Sequence, residues 1–121
     1  MTNTFQKLPL SASIDGKRVL LTSITSASAN PVHTALAGTS SVDEVWLYAY
    51  NDSTASILTS ILWGGTVEPD DVVRTTIPVR AGNLLLIDGH ILQNGKTVSI
   101  YATTGSYVSI GGFVNRITIT Q

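Results

Sequence analysis

The chain of 121 residues contains no cysteine, so it has neither disulfides nor thiolate metal ligands to stabilise it, and cysteine usage says nothing about the redox compartment. Charge is scarce. Only 12% of residues are Asp, Glu, Lys or Arg, against roughly 25% in an ordinary soluble domain. The seven basic residues, Lys7, Lys17, Arg18, Arg74, Arg80, Lys96 and Arg116, are scattered, and the formal net charge is −1. With no basic stripe to displace phosphate counterions, the sequence argues against a nucleic-acid partner. No apolar run approaches the ~18 residues of a membrane span, and MTNTFQKLPL lacks the apolar centre of a secretory signal. The expectation is a protein made in the cytoplasm with no membrane partner. No segment holds an apolar 3.6-residue period, which excludes a helical core.

What remains is β-prone. Short runs of Val, Ile, Leu, Thr and Tyr alternate with turn signals about every ten residues, as in an antiparallel sandwich. The expected fold is all-β: a single β-sandwich, jelly-roll or Ig-like, over 14–121, preceded by an extended N-terminal arm over 1–13. In the arm, Phe5, Leu8 and Leu10 are candidate anchors on a neighbouring subunit. Strands are expected at 17–24, 32–35, 72–79 (an edge or a bulged strand, since Pro78 cannot donate to a ladder), 84–87, 97–103 and 107–119. The unbroken run Leu84-Leu85-Leu86-Ile87 predicts burial on both faces, Asn94-Gly95 predicts a type I′ hairpin turn, and Gly111-Gly112 predicts a bulge or a close backbone approach.

The richest stretch is Asp43 to Gly65, DEVWLYAYNDSTASILTSILWGG. Two apolar runs flank Asn51-Asp52-Ser53-Thr54, which predicts a β-hairpin. In that pairing Trp46, Tyr48 and Tyr50 share one face with Ile57, Ile61 and Trp63, and Val45 and Leu47 share the other with Leu58 and Leu62. Both faces are apolar, so one is expected inside the sandwich and the other against a neighbouring subunit or sheet. Which does which stays open at this level. Trp46, Tyr48, Tyr50 and Trp63 also match a sugar-stacking platform, the carbohydrate-binding-module alternative, but alternating aromatics more often belong to a core or an oligomer interface.

Catalytic and metal signals are weak. The histidines are His33 and His90. Asp88 and His90 could join one of many serines in a Ser–His–Asp set, but no Gly-x-Ser-x-Gly elbow accompanies them. Glu68, Asp70 and Asp71 cluster without the alternating spacing of a calcium loop. Asn51-Asp52-Ser53 matches a glycosylation sequon, yet it is also the chemistry of a turn. The expectation is a non-enzyme with no metal, no cofactor and no small-molecule substrate.

Several blocks resemble a family of small tailed-bacteriophage virion proteins: NTFQKLPLSASIDGK, VHTA, SSVDEVWLYAYN, ILWGG followed by PDD, TIPVRAGNLLLIDGHILQNG, and YATTGSYVSIGGFVNRIT. The likeness covers nearly the whole chain and is carried by strands and turns rather than by a catalytic motif. It implies a structural protein of the virion, assembled in the host cytoplasm. The foremost role is a capsid cement or decoration protein, a homo-oligomer (trimer favoured) bound to the major capsid protein. A neck or tail component is the alternative. The candidate oligomer or capsid interface is Phe5, Leu8, Leu10, Trp46, Tyr48, Tyr50 and Trp63.

Overall fold

In the computed structural model, which describes residues 2–120, the first apolar run of the 43–65 stretch lies in a central strand, β4 (Ser41–Asn51), whose odd-numbered residues are buried and whose even-numbered ones are half-exposed. Successive side chains of a strand point to opposite faces, so Val45, Leu47 and Ala49, each 0% exposed, turn inward. Trp46, Tyr48 and Tyr50 turn outward. The face assignment left open by the sequence is thereby decided.

The other strands are β1 (Thr2–Pro9), β2 (Val19–Leu20), β3 (Asn30–Thr34), β5 (Ile57–Trp63), β6 (Val72–Ile77), β7 (Leu84–Leu92), β8 (Thr97–Ala102) and β9 (Val108–Thr120). A single 3₁₀ turn, Ser26–Ser28, is the only helical element among the described residues. One antiparallel sheet has the order β1-β9-β4-β7, with β2 also on β9; the other has the order β3-β8-β5-β6. From β3 onward the chain crosses between sheets at every connection except β5 to β6. The protein is an all-β sandwich, and this strand order is that of a jelly roll.

The core lies between the sheets. Val45, Leu47, Ala49, Val108, Ile110 and Val114 on one side meet Ile57, Ile61, Val98, Ile100 and Ala102 on the other. Leu10 and Leu21 close one flank, both essentially fully buried.

Five expectations need correction. The 43–65 stretch is not a hairpin: β4 pairs β7 and β9, whereas β5 pairs β6 and β8. The turn chemistry is as expected, with Asn51 Oδ1 accepting the Ser53 N–H at 2.9 Å and Asn51 Nδ2 donating to Ala55 O and Ile77 O. It carries the chain from one sheet to the other instead of back along the same one. Asn94-Gly95 behaves alike. Both residues have the positive φ of a type I′ turn, 58° and 72°, but the turn joins β7 to β8 across the sandwich.

The N-terminal segment is no free arm over 2–9, because β1 is paired along its whole length with β9, from Thr2↔Thr120 to Pro9↔Phe113. Met1 and Gln121, at the outer ends of the two expected segments, lie outside the described residues. Leu84-Leu85-Leu86-Ile87 is not buried on both faces: it begins edge strand β7, where Leu85 is 46% exposed and Ile87 faces the core. The 17–24 strand shrinks to Val19–Leu20. Of the edge or bulge expected from Pro78, the structure has the edge: β6 is the outermost strand of its sheet. The close approach at the glycine pair is also observed, since a Cβ on Gly112 would sit 2.0 Å from the Trp46 carbonyl oxygen.

Candidate functional site

Two sets of residues combine chemistry with placement: the outer face of the β1-β9-β4-β7 sheet, and a buried polar clamp beneath one part of it.

Cross-strand partners share a face, so the ladders fix the outer surface row by row. Phe5, Ile117 and Val42 form one row, and Lys7, Asn115 and Glu44 the next; Pro9, Phe113 and Trp46 follow. Beyond β1, the register of β2 continues the same flank, with Leu20 opposite Ser109 and Tyr50 on the far side of Ser109. The middle row is the most ordered. Trp46 stacks on Phe113 with centroids 5.9 Å apart and planes 11° from parallel, and Lys7 Nζ sits 4.4 Å above the Phe113 ring.

The indole of Trp46 continues over Gly89 on β7, where a Cβ would meet its ring carbon at 3.0 Å. The register of β7 slips between Val45 and Trp46 to place that glycine there, at φ +77°, a conformation that favours glycine. Trp46 Nε1 is buried beneath this cover and has no hydrogen-bond partner among the described residues. Beyond the middle row, Arg18 lies over Gly111 and donates to Ser109 Oγ, Ser109 O and Asn83 Oδ1 at 2.8–3.0 Å.

The sequence-derived interface residues separate accordingly. Phe5, 71% exposed, and the half-exposed Trp46, Tyr48 and Tyr50 lie on this outer surface. Leu10, at 1%, is core, and Leu8 and Trp63 pack against the core from the inner faces. Period-two geometry explains the split. Leu8 lies opposite Val114 on the inward side of β1, and Trp63 ends the inward row of β5 in the other sheet. The four-ring platform of the sugar-stacking alternative is therefore broken, with Trp63 facing away from the other three rings.

The second set was not singled out in the sequence. Asp43 is 1% exposed at an inward position of β4, opposite Arg116 on β9. Arg116 grips it with both arms of the guanidinium, Nε to Oδ1 at 2.8 Å and Nη2 to Oδ2 at 3.0 Å. His33, 3% exposed on β3, lies with Nε2 2.7 Å from Asp43 Oδ2. On the other side of the ring, Nδ1 accepts the Ser11 N–H at 3.0 Å and lies 2.8 Å from Ser11 Oγ. An acceptor at Nδ1 places the ring proton on Nε2, donated to Asp43. Burial alone pushes the Asp43 carboxyl upward; the hydrogen bonds from Arg116 and His33, together with the charge of Arg116, outweigh it and hold the group below the usual carboxylate range.

Ser11, His33 and Asp43 follow one another as in a hydrolase relay, but their other contacts describe a clamp. Asp43 is neutralised by a bidentate arginine, and Ser11 Oγ accepts the Thr34 N–H at 2.7 Å. The set ties the chain after β1 and strand β3 of one sheet to β4 and β9 of the other. One signal in the sequence marks it: in the alternation Ser41, Asp43, Val45, Leu47, an aspartate occupies a core-facing position, and a buried carboxylate requires partners.

Asp88 and His90, the pair available for a sequence-based relay, form an exposed contact of 3.2 Å with both side chains more than 60% exposed, and no serine hydroxyl is bonded to either. In the acidic loop, Glu68 pairs with Arg74 at 3.1 Å and accepts from the Tyr101 hydroxyl, while Asp71 accepts the Val67 N–H. Among the described residues no three His, Asp or Glu side chains gather as metal ligands.

Neither a protein-family profile nor a curated protein matches the chain. Among solved structures it is similar to a Bacillus endospore appendage protein, from a study describing those appendages as a novel family of disulfide-linked pili. The two share 13% identity over 98% of this chain and 90% of that one, with a TM-score of 0.57. At that identity the likeness concerns the fold.

Proposed function

We propose that this chain is a non-enzymatic structural subunit of a tailed-phage particle, foremost a capsid cement or decoration protein that self-associates and binds between major capsid protein subunits. The observation that carries the reading is the outer face of the β1-β9-β4-β7 sheet. It presents Phe5, Trp46, Phe113, Tyr48 and Tyr50 in a chain with very little charge. Apolar area of this kind is stable in water when a partner covers it. The phage assignment rests on the sequence blocks that resemble virion proteins; a neck or tail position uses the same surface.

The deciding experiment is quantitative mass spectrometry of purified particles. Copy number on the scale of the capsid lattice supports cement, copy number of a single ring supports neck or tail, and absence from particles refutes both. A second reading, a subunit of a filament, is favoured by the shared fold with the endospore appendage protein. Having no cysteine, this chain would build such a filament without disulfides. Electron microscopy of the concentrated protein separates the two, since filaments support the second reading and discrete oligomers the first.

A further inference from the structure

The outer face of the β1-β9-β4-β7 sheet is self-complementary about its own strand β9. In each row the residue on the β1/β2 flank and the residue on the β4 flank stand on either side of β9, about 9.6 Å apart as two strand spacings. Their chemistries match pairwise. Phe5 stands across from Val42, Lys7 across from Glu44, and Pro9 across from Trp46. Leu20 stands across from Tyr50. Lys7 and Glu44 form no ion pair with each other or, among the described residues, with any other group.

We infer that two copies of the chain pack these faces together about a two-fold axis running along β9. A rotation of 180° about that axis exchanges the flanks and keeps each row at its level. Lys7 of each copy, swinging off the Phe113 ring that it covers within its own chain, then reaches Glu44 of the other, Phe5 faces Val42, and Pro9 lies on the Trp46 ring. Phe113, Asn115 and Ile117, on β9 itself, meet their own counterparts on the axis. This is an isologous contact, in which one patch serves both partners, and it yields two reciprocal ion pairs within an apolar surround.

With the axis on β9, the overlap is the three strands β1, β9 and β4; at ~4.8 Å spacing and with a β4 of eleven residues this is about 14 Å by about 37 Å, or roughly 530 Å² per copy. That is less than the ~800 Å² per partner of a standard interface and belongs to a weak, reversible contact. The inference rests on the reading of the chain as an assembly subunit, and it gives the self-contact a two-fold where a trimer has a three-fold.

Sedimentation equilibrium of the full chain tests it through charge reversal. The wild type is expected as a reversible dimer that weakens as salt is raised. Lys7→Glu and Glu44→Lys each turn two attractive pairs into two repulsive ones, so each alone weakens dimerisation by about 10- to 100-fold. Because both residues are on the surface, the melting temperature of the dilute monomer stays near the wild-type value, which separates lost association from misfolding. An equimolar mixture of the two variants regains dimers of wild-type affinity, because both pairs become attractive again. A wild type that is monomeric or trimeric at all concentrations overturns the inference, as does a mixture that stays dissociated. If the protein is then still found in particles, the assembly reading stands and only the two-fold contact falls; if it is absent from them, both fall.

Discussion

Asp43→Asn is the sharpest perturbation of the fold. It keeps the volume of the side chain and removes the charge that Arg116 and His33 share. The amide turns a donor toward groups that are themselves donors, leaving a partly buried guanidinium without its counter-ion. Breaking one partner of a buried pair costs about 3–5 kcal/mol; Arg116 retains 19% exposure, and water reaching it brings the expectation to about 3 kcal/mol. For a domain of 121 residues, with ~2.1 cal/mol/K of unfolding entropy per residue, that is a fall in Tm of about 12 °C.

The pH dependence adds a signature that a packing defect lacks. The folded pKa of Asp43 lies below its unfolded value, so its stabilisation is complete above the unfolded value of about 3.9. It is lost as pH falls through the depressed folded value. Urea unfolding of wild type and variant at a series of pH values therefore shows a gap that is constant near neutrality and closes in acid. A gap below about 1 kcal/mol at pH 7 would falsify the clamp as a major source of stability. A gap that persists unchanged into acid would mean that shape rather than charge is being measured.

Three further outcomes follow from the faces and turns. Leu47→Ala, at a site with 0% exposure, costs about 2–5 kcal/mol in chemical denaturation, whereas Tyr48→Ala next to it costs under about 1.5 kcal/mol and acts on association instead; equal losses would contradict the inward–outward assignment. Gly112→Ala forces a methyl group to within 2.0 Å of the Trp46 carbonyl oxygen between central strands, so the soluble yield collapses or the loss exceeds about 3 kcal/mol. A stability near wild type would show that β4 and β9 can separate. Asn94→Pro replaces a residue at φ 58° with one locked near −65°, at a cost of about 3 kcal/mol or more, read as a lower urea midpoint.

Composition and period-two alternation were enough to establish an all-β sandwich and to place most strands and turns, because a strand's side chains alternate whatever it pairs with. They also marked β4 as apolar on both sides. Partner choice was not legible. A turn such as Asn51-Asp52-Ser53 or Asn94-Gly95 records only that the backbone reverses, and a crossing to the opposite sheet uses the same φ values and side-chain caps as a hairpin. The expected 43–65 hairpin failed for that reason, and with it the grouping of Trp63 with Trp46. The run Leu84–Ile87 misled because an edge strand with an apolar outer face has the same composition as a buried one.

The clamp was hidden for another reason. Ser11, His33, Asp43 and Arg116 are separated in the chain by 22, 10 and 73 residues, and only the jelly-roll crossings bring them within hydrogen-bond distance. By itself the sequence determined that this protein is built of strands and carries more apolar β-surface than one core consumes. The tertiary structure alone decided where the excess lies, because facing depends on which strands become neighbours. That choice sent Val45, Leu47 and Ala49 into the core and left Trp46, Tyr48 and Tyr50 on the outer sheet.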